Sequence, residues 1–484
     1  MRPAPPAPPR AAPAANRSTS ILGMAAPLVL SFWMRALFTF VDTAYAATLG
    51  DASVAAIGLS IPLEFLMIAC WVGVSTGLTS GLSQAMGARQ GARIEQLLAV
   101  TRRIVWATVP AFLLLAAGSY VAAPHLGLDP EVARQFAIYA GVLIGGSALS
   151  SFWSILPDSI VKAHHDTRST MWAGIWSNLI NVALNTLFTF VFHWGIFGIA
   201  FSTVLGRFGG LAYALRQAER HESGRKARGL DTTSELDPAP LRSIMKLAVP
   251  AALTYALMAL EALLINWLLT GRPDSTASIA AYGIYYRVLL FALMPLIATA
   301  VAVLPFVARR YGEGDLAAIR RGLRQAHVAG LIYCVALVAP ALILGGPWLA
   351  HLLAESPVTA DLTRVALILC PLACLVSIPF FLCRPTFEGL QRGRPGLIMG
   401  VLRYVVLMVP LVLAGTALAG RLGQPPLYGL LGGLIVASAI SSGIFLLWTR
   451  RVLHALDRGK GMESVAPKGG LHAVGQPGAM PAGG

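Results

Sequence analysis

The feature that most constrains this chain is the recurrence, along nearly its whole length, of apolar runs. Each is about 20 residues or longer, enough as a helix to cross a hydrocarbon core of about 30 Å. The stretch VLLFALMPLIATAVAVLPFVA (288–308), for example, carries no charge at all. A bilayer offers no water to the backbone, so such runs must close their hydrogen bonds within helices or closed barrels. The period-two alternation of a membrane barrel is absent. The runs therefore predict twelve helices, at 20–48, 53–86, 99–123, 134–162, 169–192, 196–219, 241–270, 277–308, 324–350, 361–390, 396–419 and 427–452. Composition agrees: 56% of the 484 residues are hydrophobic and 12% are charged, against about 25% charged in soluble domains. The fold class is an all-α polytopic membrane protein.

The formal net charge of +15 raises a nucleic-acid partner, but the placement of the basic residues argues for topology instead. They cluster in GARQGAR (87–93), RQAERHESGRKAR (216–228), RRYGEGDLAAIRRGLR (309–324), LQRGRPG (390–396) and RRVLHALDRGKG (450–461). The alternate connections LGDAS (49–53), FHWGIFG (192–198) and RLGQPP (421–426) are nearly free of them. Cytoplasmic loops carry such an excess, so both termini are expected in the cytoplasm, with the lipid bilayer as the partner and no nucleic acid. The Pro- and Ala-rich start lacks the apolar core of a signal peptide. Residues 1–19 and 453–484 read as disordered tails.

The chain repeats itself. VAAIGLS (54–60) matches IAAYGIY (279–285), and Gly58 and Gly87 pair with Gly283 and Gly312, both 225 positions on. Two bundles of like orientation follow, 20–219 and 241–452, joined by the polar segment 220–240. Such duplication is a common plan for secondary transporters, with the substrate path between the halves. No GxxxxGK[ST] stretch supplies ATP coupling, and no HExxH or GxSxG stretch suggests an enzyme. Cys70, Cys334, Cys370, Cys374 and Cys383 all lie in apolar runs and read as packing residues. No metal site or cofactor is expected.

Charges inside the runs carry the functional reading. Asp42, in FTFVDTAYAATLG (38–50), costs roughly 2.5–3.5 kcal/mol at the bilayer centre if ionised. It must be protonated, because desolvation favours the neutral acid, or held by a cation or polar groups. A site alternating between those states couples an ion to packing. Asn181 and Asn185 are four residues apart and share a helix face; Thr203 lies on the next helix. The second half has no acid at the position matching Asp42, and RYVVLMVPLVLAG (403–415) has neither Asn nor Asp. Other acids and bases at depth are Arg35 and Glu64, which either pair or contact substrate, and Glu261, a second acid or a partner for Arg287. Arg207 either snorkels or turns inward. His164 and His165 read as solvated loop residues.

The combination of VDT (41–43), LGD (49–51), IGLSIPLEFL (57–66) and SQAMGARQG (83–91) resembles the MATE (multidrug and toxic compound extrusion) family, in its DinF-like branch. So do IAAYGIYYRVLLFALMPLIATAVAVLPFVARRYGEGD (279–315) and FEGLQRGRPG (387–396). The resemblance covers about residues 20 to 452. It implies two pseudo-symmetric six-helix lobes in a bacterial inner membrane, exporting drugs or metabolites in exchange for protons or sodium. It also implies an ion-coupling set of Asp42, Asn181, Asn185 and Thr203. Asn185 stands where that branch often has a second Asp, which favours a proton over sodium, since a hard cation prefers charge in its oxygen cage. Phe381 stands near the place where another branch has an acid. The pocket between lobes is expected to be aromatic and Met-rich, with Phe38, Tyr45, Met67, Trp71, Tyr255, Met258, Tyr282 and Tyr286 as candidates. Small molecules, amphipathic cations above all, are the expected substrates, and a monomer is expected. The alternative is a flippase for a lipid-linked saccharide or peptidoglycan precursor, which requires Arg35, Arg207 and Arg287 to converge. A non-transporting sensor or scaffold fits less well, because no large soluble domain is present.

Overall fold

Each apolar run forms a helix. The computed structural model describes residues 20–229, 235–270, 275–354 and 356–458; within its helices the side chains at 37–44, 51, 259, 262, 266, 270 and 275 lie outside the description. The helices are α1 (Ile21–Thr48), α2 (Asp51–Gly87), α3 (Gly91–Ala122), α4 (Pro130–Ala163), α5 (Thr167–Val191) and α6 (Gly195–Ala227). The second six are α7 (Pro240–Thr270), α8 (Ser275–Gly312), α9 (Leu316–Leu353), α10 (Pro357–Gly389), α11 (Arg394–Arg421) and α12 (Pro426–Asp457). Among the described residues, eleven are long and apolar enough to cross a membrane, and α1 is apolar over Ile21–Ala36. Side-chain caps start several of them: Asp129, Asp166, Asp315 and Ser356 accept from backbone N–H groups of the first turns of α4, α5, α9 and α10.

Two basic stretches read as connections are partly helical. Helix α6 runs eight residues past the expected 219 because its polar end is laced with ion pairs. Arg225 meets Glu222 at 2.7 Å and Lys226 meets Glu95 of α3 at 2.8 Å. Most of RRYGEGDLAAIRRGLR is helical too, broken only by a turn with Gly314 at φ +77°.

The packing repeats with the sequence. In the first half α2 lies on α4, α4 on α3 and α6, α5 on α6, and α1 on α5; in the second half α8 lies on α10, α10 on α9 and α12, α11 on α12, and α7 on α11. Between halves, α1 packs on α8, α2 on α7, and α2 on α8. The α2–α8 contact is reciprocal. A Cβ at Gly87 would overlap the carbonyl oxygen of Arg309, and a Cβ at Gly312 would overlap that of Gln84. Gly87 and Gln84 lie 225 positions before Gly312 and Arg309, so the pseudo-two-fold axis passes through this crossing. Small residues let helix backbones meet closely where lipid supplies no hydrophobic drive.

A second reciprocal contact flanks the first. His165, after α4, and Gln391, after α10, both take the left-handed conformation at φ +61°. His165 Nε2 donates to the Pro305 carbonyl of α8 at 3.3 Å, and Gln391 Nε2 donates to Ser80 Oγ of α2 at 2.7 Å. Ser80 and Pro305 are again 225 positions apart. Both contacts lie at the basic end. Ser80 also donates to the Glu388 carbonyl at 2.7 Å, and Gly73 and Gly77 of α2 sit against the Ala248 and Ile244 carbonyls of α7. The histidines are thus half-buried partners rather than solvated loop residues; His164 Nε2 meets Glu222 at 3.0 Å and its ring stacks on His221.

Replacing Gly87 or Gly312 by Val is expected to cost about 1–3 kcal/mol each by overpacking. Thermal unfolding in detergent measures this, and unchanged melting of either variant removes the crossing from its central place. The His165 contact also predicts a pH dependence. Burial, followed by the charge of Arg309, lowers the His165 pKa from its ordinary 6.5 to about 4. The unfolded chain then binds a proton before the folded one does, so this stability is complete above about pH 6.5 and lost as pH falls towards 4. His165→Gln, which copies Gln391, is expected to flatten that part of the Tm-against-pH curve. An identical curve for the variant rules it out.

Candidate functional site

Helices α5 and α6 build the first polar group. Gly206 and Gly210 of α6 face the Ser177 and Ala173 carbonyls of α5, and the bare backbone at Gly206 touches Asn181. That approach brings Thr203 and Ser202 against Asn181, whose Nδ2 donates to Thr203 Oγ1 at 3.0 Å and Ser202 Oγ at 3.5 Å. Both hydroxyls donate in turn to the Ile199 carbonyl, at 3.0 and 2.9 Å, so their lone pairs are left for the amide. Asn185, one turn on, is fully buried.

Helix α1 runs parallel to α5 beside this group. Ser31 lies next to Gly174, and the Tyr45 hydroxyl meets Thr186 Oγ1 at 2.6 Å. Thr186 donates to the Val182 carbonyl, which makes Tyr45 the donor to Thr186. In this register, position 42 of α1 is level with the Asn181–Asn185 turn. The side chains of Asp42 and Phe38 lie outside the described residues.

A second group lies between α2, α4 and α6. Arg207 donates to Glu64 Oε1 at 3.2 Å and to the buried Ser147 Oγ. Arg207 therefore turns inward, and Glu64 pairs with it rather than with Arg35 alone. The exposed Arg35 lies within coulombic reach of both. Next to Arg207 is a cavity of about 190 Å³ lined by Trp71, Ser150, Ser154, Asp158, Thr170 and Ser177. Trp71 Nε1 donates to the Ser151 carbonyl at 2.9 Å, and Lys162 Nζ lies 5.5 Å from its ring. Trp71 thus faces a polar space inside the first half, and Met67 is buried in that half's apolar core.

The second half holds a third group. Glu261 of α7 is part exposed, with Arg403 of α11 within coulombic reach, and Arg287 is exposed on α8. Tyr282, Tyr286 and Tyr404 lie within electrostatic range of Glu261. Tyr282 and Tyr286 stack with ring centres 6.0 Å apart. Arg403 lies over the Phe380 ring at 4.6 Å and the Tyr404 ring at 5.3 Å. Met258 packs on the apolar cluster around Phe380, and Tyr255 carries Arg384 over its ring at 4.8 Å. Arg384 bonds Glu388 at 2.9 Å, and Glu388 is buried. Sequence reasoning passed over Arg384 and Arg403. For the first, the signal was the i, i+4 spacing to Glu388; for the second, an arginine nine residues into an apolar helix. Among the described residues, no three His, Cys, Asp or Glu side chains gather as a metal site.

A duplicated twelve-helix membrane protein with amides and charges along its apolar helices, grouped separately within each half, has the build of a transporter. A protein-family model described as MatE matches residues 27–187 and 250–413, once in each half, and the chain belongs to that family of multidrug and toxic compound extrusion transporters. It is 26% identical over 463 residues to the probable multidrug resistance protein NorM of Xanthomonas axonopodis pv. citri, covering 92% of this chain and 98% of that one. With the probable multidrug resistance protein YoeA of Bacillus subtilis it shares 25% identity over 308 residues, 62% of this chain and just under two thirds, 65%, of the relative. In three dimensions it matches an outward-facing multidrug resistance MATE family transporter of the MOP superfamily. The TM-score is 0.81 over 91% of this chain and 98% of that one, at 19% identity, a likeness of fold.

The Glu64–Arg207 pair is part exposed, with side-chain accessibilities of 30% and 24%, which screens it. A double-mutant cycle with Glu64→Gln and Arg207→Gln is expected to give a coupling of about 0.5–2 kcal/mol in unfolding free energy. Additive effects show that the pair contributes nothing.

Proposed function

We propose that this protein is a secondary active exporter of small amphipathic organic cations, exchanging them for protons. The observation that carries this reading is the Asn181–Thr203–Asn185 group level with position 42 of α1. It occurs on one half of a duplicated scaffold, where symmetry alone requires nothing. A carboxylate there, beside amide and hydroxyl groups and one turn from the Tyr45–Thr186 bond, has polar company for its ionised form and low dielectric for its neutral form. Proton binding and loss then change how α1 sits on α5 and α6. The relatives named for multidrug resistance support a drug as the cargo. In this reading the basic end faces the cytoplasm of a bacterial inner membrane, and the lobes rock about the α2–α8 crossing to expose the cleft to either side. Each net charge moved inward through 100 mV supplies roughly 2.3 kcal/mol, a concentration ratio of about fifty.

The flippase reading needs three converging arginines. Arg35 and Arg207 are neighbours, but Arg207 is held by Glu64, and Arg287 does not join them. The exporter reading is the better supported.

Everted vesicles holding a proton gradient test it. Adding rhodamine 123 is expected to release protons through the native protein and not through Asp42→Asn. Equal responses place the coupling acid elsewhere, with Glu261 next; a response that needs sodium makes sodium the coupling ion.

A further inference from the structure

We propose that the cavity on the basic side of Arg207 is the route by which the coupling proton reaches the basic face, a water column inside the first half that the Arg207 guanidinium plugs. The proposal rests on the exporter reading and deepens it by assigning the proton's path and the group that keeps it shut.

The cavity begins one turn from the Asn181–Thr203 group. On α6 Arg207 follows Thr203 by four residues, and on α5 Ser177, in the cavity wall, precedes Asn181 by four. The rest of the wall leads to the basic end. Ser150, Ser154 and Asp158 descend α4, which ends at Ala163, and Thr170 lies in the first turn of α5, which starts at Thr167. From Ser147, beside the guanidinium, to Asp158 the helix rises about 16 Å. The volume of about 190 Å³ holds about six waters at the liquid's share of about 30 Å³ each. The walls suit them. The Ser150 hydroxyl donates to the Gly146 carbonyl at 3.1 Å and the Ser154 hydroxyl to the Ser151 carbonyl at 2.6 Å, which leaves oxygen lone pairs for water. At the basic end Asp158 accepts from Thr170 at 3.3 Å and pairs with Lys162 at 2.5 Å.

The second half shows that the fold does not require this space. Counting back from His165 and Gln391, which hold matching places, Asp158 and Lys162 correspond to Arg384 and Glu388, again an i, i+4 charge pair but with the signs exchanged. Ser150 and Ser154 correspond to Val376 and Phe380. Phe380 is buried against Tyr404 and Phe445, so a ring fills in one half the place that is hollow in the other.

A coupling acid open to both faces at once would leak protons. Arg207, held by Glu64 at 3.2 Å and by Ser147, sets a fixed positive charge between that acid's level and the column, and such a charge excludes protons. Arg35, seven residues before position 42 on α1, lies within coulombic reach of Glu64 and Arg207. A shift of α1 that brings Arg35 to Glu64 in place of Arg207 frees the column. A proton then passes from position 42 to the first water, and one leaves the last water beside Asp158.

The test needs no cargo. Full-length protein is reconstituted in liposomes that hold a pH-sensitive dye, and a potassium diffusion potential drives protons inward. The native protein is expected to be tight. Arg207→Gln is expected to raise the passive proton flux by about tenfold or more, since a unit charge repels strongly at the low effective dielectric between helices. Arg207→Lys, which keeps the charge, is expected to stay near native. Adding Ser154→Phe to Arg207→Gln, which copies Phe380, is expected to restore tightness, and so is adding Asp42→Asn. A damaged fold leaks whichever second change is made. Ser154→Cys is also expected to react with a membrane-impermeant cationic methanethiosulfonate above the native chain's labelling, and faster from the basic side than from the other. The proposal is overturned if Arg207→Gln is as tight as native, if Arg207→Lys leaks as much as Arg207→Gln, if the leak survives either second change, or if Ser154→Cys is not labelled faster from the basic side. The exporter reading is judged separately by dye-evoked release with Asp42→Asn, which can fail while this leak pattern holds.

Discussion

The α2–α8 crossing is the contact on which the rest of the molecule depends. Two glycines, Gly87 and Gly312, let two helix ends meet backbone to backbone, each against the other's carbonyl. Lipid offers helices no hydrophobic reason to associate, so close packing and interhelical hydrogen bonds must do so. The crossing supplies the packing; Gln391 to Ser80 and His165 to Pro305 supply the hydrogen bonds on either side. All of this sits at the basic end. The polar groups lie further along the helices, away from this end.

Function on such a scaffold shows as departures from its symmetry. The first half has Asn181, Asn185 and Thr203, where the second, 225 positions on, has Val406, Pro410 and Tyr428. In the first half Glu64 is bound to Arg207, and in the second Arg384 is bound to Glu388 of its own helix. Even the flanking contacts differ, a titratable histidine in one and a neutral glutamine in the other. A duplicated chain free of function has no reason to hold its intramembrane charges so unequally, given what each costs in hydrocarbon.

Much of this was legible beforehand. Twelve helices, the duplication at 225 residues and the shared face of Asn181 and Asn185 all follow from residue spacing, and Thr203 was singled out with them. Other readings changed. The segment 216–228 is mostly helix, because Glu222 and Glu95 neutralise its basic side chains. Trp71 faces a cavity inside one half, because Ser151 and Ser154 of α4 accept its indole N–H.

What the sequence determined by itself is the membrane, the number of crossings and the repeat. The cost of polar groups in hydrocarbon is paid residue by residue along the chain, so it can be read in one dimension. Only the tertiary structure decided which charges meet. An arginine's guanidinium sits at the end of a long, flexible stem, and its partner depends on how neighbouring helices are rotated and how closely glycines let them approach. Arg207 with Glu64, and Arg384 over the Tyr255 ring, are settled by packing between helices that lie far apart in the chain.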